Sequence, residues 1–276
     1  MSWLITGAGG MLGTDLAVRL DGAVALTRSD LDLRDPVAVR EVIERHRPAT
    51  VVNCAGWTAV DGAETDEDAA LAVNGTAVGG LADACADTGA TLVQISTDYV
   101  FDGRGVRPYA EDAPTSPVNA YGRTKLAGEQ AAAKAGGYVV RTAWLYGAYG
   151  PNFVQTMMRL AAERDTVSVV DDQFGQPTWT GDLADQIVAL ARSGAPHGVY
   201  HGTSAGRTTW YGLAREIFTL LGLDPGRVRP VSSAAFPRPA PRPAYSVLGH
   251  DRWAAAGLSP IRDWRDALRA AWPALR

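Results

Sequence analysis

The stretch TGAGGMLG, residues 6–13, decides the fold. It follows a short apolar run, WLIT at 3–6, and leads straight into helix-spaced apolar positions from Met11 to Leu20. A strand that ends in glycines and opens a helix gathers backbone N–H groups and the positive end of that helix at one point. A dinucleotide's pyrophosphate binds at such a point, and Gly7, Gly10 and Gly13 keep side chains out of its approach. The spacing alone also describes an ordinary glycine-rich turn. The strand before it and the helix after it give it weight.

Reading outward, AVALT at 23–27 is a second strand, and Pro36 opens a helix to about His46. TVVNCA at 50–55 is a third strand, followed by a mostly helical stretch at 66–88 with a break near Gly75. TLVQIST at 91–97 is a fourth strand, residues 121–135 a helix, and YVVRTAWLYG at 138–147 a fifth strand running into a loop. Apolar strands alternating with helices predict an α/β fold, a Rossmann-like, doubly wound parallel sheet covered on both faces. After Gly150 the alternation loosens. Residues 152–164, 182–192, 210–221 and 263–271 read as helices, and TVSVV and GVYHG as short strands. The reading is a domain at 1–150 and a smaller C-terminal lobe at 151–276, partly interleaved with the first. FPRPAPRPAY at 236–245 holds four prolines and is either a linker or a loop folded over a site.

Composition narrows the function. The chain has 276 residues, 46% hydrophobic and 20% charged, enough to bury a full core. A net charge of −4 argues against a general nucleic-acid binder. Cys54 and Cys85 are the only cysteines, too few for a disulfide framework, which fits a reducing cytoplasm. No run of about 18 apolar residues is apparent for a membrane span, and no signal-peptide pattern opens the chain. His46, His197, His201 and His250 have no i,i+4 pairing and Asp171–Asp172 are too few, so no metal is expected. A serine nucleophile is not expected, because G-x-S-x-G is absent. Lysine occurs only at Lys125 and Lys134 among 26 basic residues. In a chain that otherwise chooses Arg, those two positions stand out.

Four further segments could carry chemistry. At the end of the second strand Arg28 could pair with a ribose 2′-phosphate, while Asp30 and Asp32 nearby could take ribose hydroxyls. NCAGWTAVDGAE, residues 53–64, follows the third strand, and small Ala55 and Gly56 would permit close approach of a cofactor. Asp61 and Glu64 in it read as helix-starting residues. ISTDYVFDG, residues 95–103, runs from a buried strand into polar groups. There Thr97 could donate to a carbonyl oxygen and Asp98 could orient a sugar hydroxyl, or both could simply cap a turn. NAYGRTKLAGE, residues 119–129, sets Tyr121 and Lys125 four apart on one helical face.

The order of these words is what is specific. A glycine turn, a small-residue loop after the third strand, Ser-Thr after the fourth and Tyr-x-x-x-Lys on the next helix resemble the extended short-chain dehydrogenase/reductase family. Within it, DDQFGQPT, RTAWLYG, TTWYGLA and RPAYSVL are similar to words of the dTDP-4-dehydrorhamnose reductase subfamily. The resemblance runs from Gly7 to about Leu248. It implies NADPH-dependent reduction of the C4 keto group of a dTDP-4-keto-6-deoxysugar, with NADH left open. It implies that the C-terminal lobe binds substrate, and that Thr97, Tyr121 and Lys125 are catalytic. It also implies cofactor contacts at Gly10, Met11, Leu12, Asp32, Leu33, Gly56, Trp57, Thr58, Tyr121 and Lys125, and sugar contacts at Thr97, Asp98 and Trp144. Gly56 departs from the more usual Ala, which would loosen the loop without blocking binding. In this scheme Lys125 is expected to lower the pKa of the Tyr121 phenol, ordinarily about 10. Arg238 and Arg242 in the proline-rich stretch could clamp the substrate's diphosphate, or could equally be solvated. A homodimer is allowed but not implied by any residue. Two other readings stay open: a 4-ketoreductase for another deoxysugar in antibiotic glycosylation, and a non-catalytic NADP-binding regulatory subunit.

Overall fold

The structure, a computed structural model, describes residues 1–276. The first half runs β1 (Trp3–Thr6), α1 (Met11–Arg19), β2 (Val24–Leu26), α2 (Pro36–His46), β3 (Thr50–Asn53), α3 (Val60–Thr65) and α4 (Glu67–Leu71). A π-helical turn, Ala72–Thr76, leads to α5 (Ala77–Thr88), β4 (Thr91–Thr97), α6 (Ala120–Lys134) and β5 (Tyr138–Thr142). The second half begins β6 (Leu145–Tyr146), α7 (Phe153–Glu163), β7 (Val167–Val170), β8 (Phe174–Gly175), β9 (Thr178–Trp179), α8 (Thr180–Ser193) and β10 (Gly198–His201). It ends β11 (Ser204–Ala205), β12 (Thr208–Thr209), α9 (Trp210–Leu220), β13 (Val228–Val231), α10 (Asp251–Ala255), β14 (Ile261–Asp263) and α11 (Trp264–Leu275).

Six strands form one parallel sheet in the order β10-β5-β4-β3-β1-β2. β1, β3 and β5 are buried along their whole length, which is why apolar residues fill their centres, at Trp3–Ile5, Val51–Val52 and Tyr138–Val140. β2 lies on one side of β1 and β3 on the other. The chain therefore reverses direction there, and a crevice opens at the carboxyl ends of the two strands.

Helix starts follow local chemistry. The Asp35 carboxylate accepts from the N–H groups of Val37 and Ala38, with Pro36 at the first position of α2. Asn119 caps α6 by accepting from the Gly122 N–H at 2.8 Å. One face of the sheet is covered by α1 and α8, through Leu12, Leu16, Leu183 and Ile187. The other is covered by α2, α5 and α6, through Val39, Ile43, Leu81 and Ala132. A third core, around Met157, Ile217, Phe218, Trp264 and Leu268, belongs to the second half. α8 and β10 thus return to the first sheet, where β10 covers the β5 edge that would otherwise be open.

By length and composition Glu67–Thr88 is apolar enough to cross a membrane. Half of that stretch is buried inside the molecule, because α5 packs on the sheet with α2 on one side and α6 on the other.

Candidate active site

The glycine turn after β1 sits in the crevice. Gly7 has φ +68°, and a Cβ there would lie 2.5 Å from the Ala55 nitrogen, so the loops after β1 and β3 touch. A Cβ on Gly13 would run into the Gly7 carbonyl. No side chain caps α1 at Gly10. The first-turn N–H groups, Met11 and Leu12 among them, are therefore left to meet an anion, which suits a pyrophosphate. The side chains of Leu12 and Leu33 are buried in the core, so only their backbones can face a ligand.

Both acids near the second strand are engaged locally. Asp30 accepts from the Thr27 backbone N–H at 2.8 Å and from its hydroxyl at 2.6 Å. Asp32 is gripped by Arg34 at 2.6 Å, and those hydrogen bonds hold its carboxyl down at about 2. Arg28 stands exposed beside them, close enough for its charge to act on Asp32.

β4 and α6 bring Thr97, Tyr121 and Lys125 together. Lys125 is 7% exposed, and its Nζ donates to the Ile95 carbonyl at 2.6 Å. Burial lowers its pKa to about 8, with the Glu129 charge pulling the other way. Thr97 Oγ1 donates to Asp98 Oδ1 at 3.0 Å and accepts from the Tyr99 N–H. Asp98 is buried and its Oδ2 has no hydrogen-bond partner. Burial pushes its carboxyl up to about 6, against the hydroxyls of Ser246 and Thr97. Tyr121 meets Tyr99 edge-on at 5.7 Å. Its phenol is pushed up to about 12 by burial, partly offset by the nearby Thr97 hydroxyl, and the Asp98 charge pushes it further up. This corrects the expected lowering by Lys125. Burial dominates, and the ammonium that should offset it is itself desolvated and directed at a backbone carbonyl.

Several residues that hold this wall were missed in the sequence. Asn74, in the π-helical turn, accepts from the Trp57 N–H at 2.9 Å and donates to the Trp57 carbonyl and to Thr124 Oγ1, each at 3.1 Å. It ties the loop after β3 to α6. A Cβ on Gly56 would lie 3.1 Å from Asn74 Oδ1 and 3.7 Å from Lys125 Nζ. The glycine therefore relieves crowding against this tie. α6 itself comes close because Gly122 and Gly128 carry no Cβ, which would strike the carbonyls of Tyr99 and Asn74. Behind the wall, Glu129 accepts from Ser96 Oγ at 2.5 Å and pairs with Arg141 at 2.8 Å. The break seen near Gly75 was the only sequence signal for any of this.

Next to Tyr121, through Tyr99, lies a cavity of about 620 Å³, lined by Asp61, Tyr99, Trp210, Arg238 and Arg242 among others. Trp144 has φ +48° and stacks on Trp210 with ring centroids 3.5 Å apart. Gly175 lies behind it, where a Cβ would meet the Trp144 ring at 2.5 Å. Asp61 and Glu64 do more than start a helix. Asp61 pairs with Arg242 at 3.0 Å, and Glu64 accepts from the Ala120 N–H at 2.7 Å, at the start of α6.

Comparison with known proteins adds to this geometry. The RmlD substrate binding domain family matches residues 1–276. The chain is 60% identical to the dTDP-4-keto-6-deoxy-D-glucose reductase of Streptomyces niveus, covering 99% of this chain and 97% of that protein. It is 57% identical to the dTDP-4-dehydrorhamnose reductase of Streptomyces griseus, covering 99% and 93%. The crystal structure of dTDP-4-dehydrorhamnose reductase from Bacillus anthracis in complex with NADP superposes with a TM-score of 0.94 at 37% identity, covering 99% and 98%.

Proposed function

The chain belongs to the RmlD substrate-binding-domain family, and from that premise we propose that it is an NADPH-dependent reductase of the C4 keto group of a dTDP-4-keto-6-deoxysugar. dTDP-4-dehydro-β-L-rhamnose, giving dTDP-L-rhamnose, is the simplest substrate. One observation carries the reading. Thr97 and Tyr121 lie within reach of each other, and Lys125 reaches the same strand at the Ile95 carbonyl beside the loop after β3, in a chain that matches named reductases almost end to end.

The glycine turn and the open start of α1 fit a pyrophosphate, and Arg28 fits a 2′-phosphate, which favours NADPH over NADH. Gly7, Gly10, Met11, Leu12, Asp32, Leu33, Ala55, Gly56, Trp57 and Thr58 would frame the cofactor. Bound NADPH supplies the hydride. The protein's own part is to manage the carbonyl oxygen as it gains charge. Tyr121 gives it a proton. A phenol held at about 12 stays protonated at neutral pH, so it is in the right state to donate to an alkoxide. Thr97 hydrogen-bonds the same oxygen. Lys125 is largely protonated at neutral pH with its pKa near 8, and its ammonium would hold the ribose hydroxyls beside Tyr121. Asp98 and Trp144 would orient the sugar. Both cysteines are free, which favours the cytoplasm.

The test is NADPH oxidation, followed by absorbance, with dTDP-4-dehydro-L-rhamnose and with dTDP-4-keto-6-deoxy-D-glucose. Oxidation with the first and not the second selects the rhamnose reading. Oxidation with the second alone selects a different deoxysugar. Tight NADPH binding with no oxidation of either would make the chain a cofactor-binding subunit.

A further inference from the structure

Asp61 stands in the first turn of α3 and reaches the proline-rich loop across the cavity. Its Oδ1 forms an ion pair with Arg242 Nη2 at 3.0 Å and accepts from the Ala240 N–H at 3.2 Å. Arg242 Nη1 donates to the Ala240 carbonyl at 2.9 Å. The loop is fastened elsewhere as well, by Asn119 Nδ2 donating to the Pro241 carbonyl at 2.9 Å and by the Tyr245 N–H donating to the Gly103 carbonyl at 3.0 Å. The ion pair is therefore not what keeps the loop in place.

The charged residues lining the cavity are Asp61, Arg238 and Arg242. Tyr99 lines it too and meets Tyr121 edge-on, so the cavity adjoins the proposed proton donor. A nucleoside-diphosphate sugar brings two phosphate charges, and an arginine fork suits phosphate as well as carboxylate. A phosphate reaching Arg242 would meet the Asp61 carboxylate already there, and like charges at contact distance repel.

On the reading that the substrate is a dTDP-sugar, we infer that Asp61 is a stand-in anion. Its carboxylate holds Arg242 in the free chain and yields it to the diphosphate when nucleotide enters. Asp61 thereby weakens nucleotide binding and speeds product release. It sets nucleotide affinity, and it touches no reacting atom.

The experiment is a double-mutant cycle on the full chain, with dTDP as the probe and calorimetry as the readout. Asp61→Asn keeps an acceptor for the Ala240 N–H and removes only the charge. It should tighten dTDP about two- to fivefold at low salt, the range expected of a half-exposed ion pair. The gain should vanish in the Arg242→Ala background and shrink at high salt. Weaker or unchanged binding in Asp61→Asn overturns the exchange, since Asp61 would then be orienting Arg242 or doing nothing to the ligand. An equal gain in both backgrounds also overturns it, because Asp61 would then act by its general field. A wild-type chain that takes no dTDP overturns the nucleotide reading and this inference together. dTDP bound without the predicted gain overturns the inference alone.

Discussion

Two arginine–carboxylate pairs flank the candidate site, and they differ in what surrounds them. Arg141–Glu129 lies behind the wall of Thr97, Tyr121 and Lys125, with side chains 5% and 5% exposed. Glu129 also accepts from Ser96, next to Thr97, while Arg141 lies over the Phe101 ring at 5.0 Å. Arg242–Asp61 lies at the cavity mouth, 21% and 33% exposed. Removing one partner of the first leaves a charge stranded where water cannot reach. Removing one partner of the second leaves a charge that water can take over. The same chemistry therefore suits the first pair to holding geometry and the second to exchanging partners. The wall should act on turnover and the mouth on affinity.

The largest effect should come from the wall. Tyr121→Phe removes the proposed proton donor and should lower kcat by roughly 10²–10⁴-fold, the usual worth of one general acid, while NADPH still binds. Steady-state turnover and a cofactor titration check both halves. Near-normal turnover would take Tyr121 out of the mechanism, and a change confined to KM would erase the division between wall and mouth.

Next is the support of the wall. Glu129→Gln strands Arg141 and should cost about 3–5 kcal/mol of unfolding free energy, the range for breaking a buried pair. Urea unfolding followed by fluorescence measures it. A loss under about 1 kcal/mol would place this pair with the surface type and dissolve the contrast.

The parts of the molecule were unequally legible in its sequence. β1, β3, β4 and β5 were readable because strands buried on both faces are rich in apolar residues, with Leu4, Val51, Val93 and Val140 among them. The glycine turn was readable because the contact between Gly7 and Ala55 leaves no room for a side chain. Tyr121 and Lys125 were readable from their spacing, and Lys125 also from the scarcity of lysine. Asn74, Glu129 and Asp61 were not. Their partners lie 17 or more residues away at Trp57, 12 away at Arg141 and 181 away at Arg242. A polar residue on a helix looks alike in sequence whether it faces solvent or a distant partner. The state of the Tyr121 phenol was misread for a related reason: burial is set by the whole fold, and spacing reports only its neighbour.

Asp98 sits between the two regions, after Thr97 of the wall and before Tyr99 of the mouth, and its burial gives a pH signature. Its carboxyl is at about 6 in the folded chain, against about 3.9 unfolded. Between those values the folded chain binds the proton more tightly, so this group's contribution to stability falls as pH rises, and the full cost is present above pH 6. The shift is worth at most about 3 kcal/mol. His201 and His250 are lowered by burial to about 3 and about 4. They act oppositely, adding stability as pH rises toward their unfolded value. The readable quantity is thus the difference between wild type and Asp98→Asn, in unfolding free energy at pH 4 and pH 7. The variant should gain relative to wild type at pH 7 and not at pH 4. A difference independent of pH would mean that Asp98 is solvated like a mouth residue.

The smallest effect should be the stability cost at the mouth. Asp61→Asn and Arg242→Ala should each change unfolding free energy by less than about 1 kcal/mol, because the loop keeps its Asn119–Pro241 and Tyr245–Gly103 hydrogen bonds. Whatever coupling remains between the two should fade in about 1 M salt, where charges more than roughly 3 Å apart are screened. A loss of about 2 kcal/mol or more in either variant, persisting in salt, would mean that the pair is a structural fastener. A fastener cannot be surrendered to a ligand without loosening the loop that lines the cavity. That one stability measurement would then remove both the contrast between the pairs and the exchange built on it.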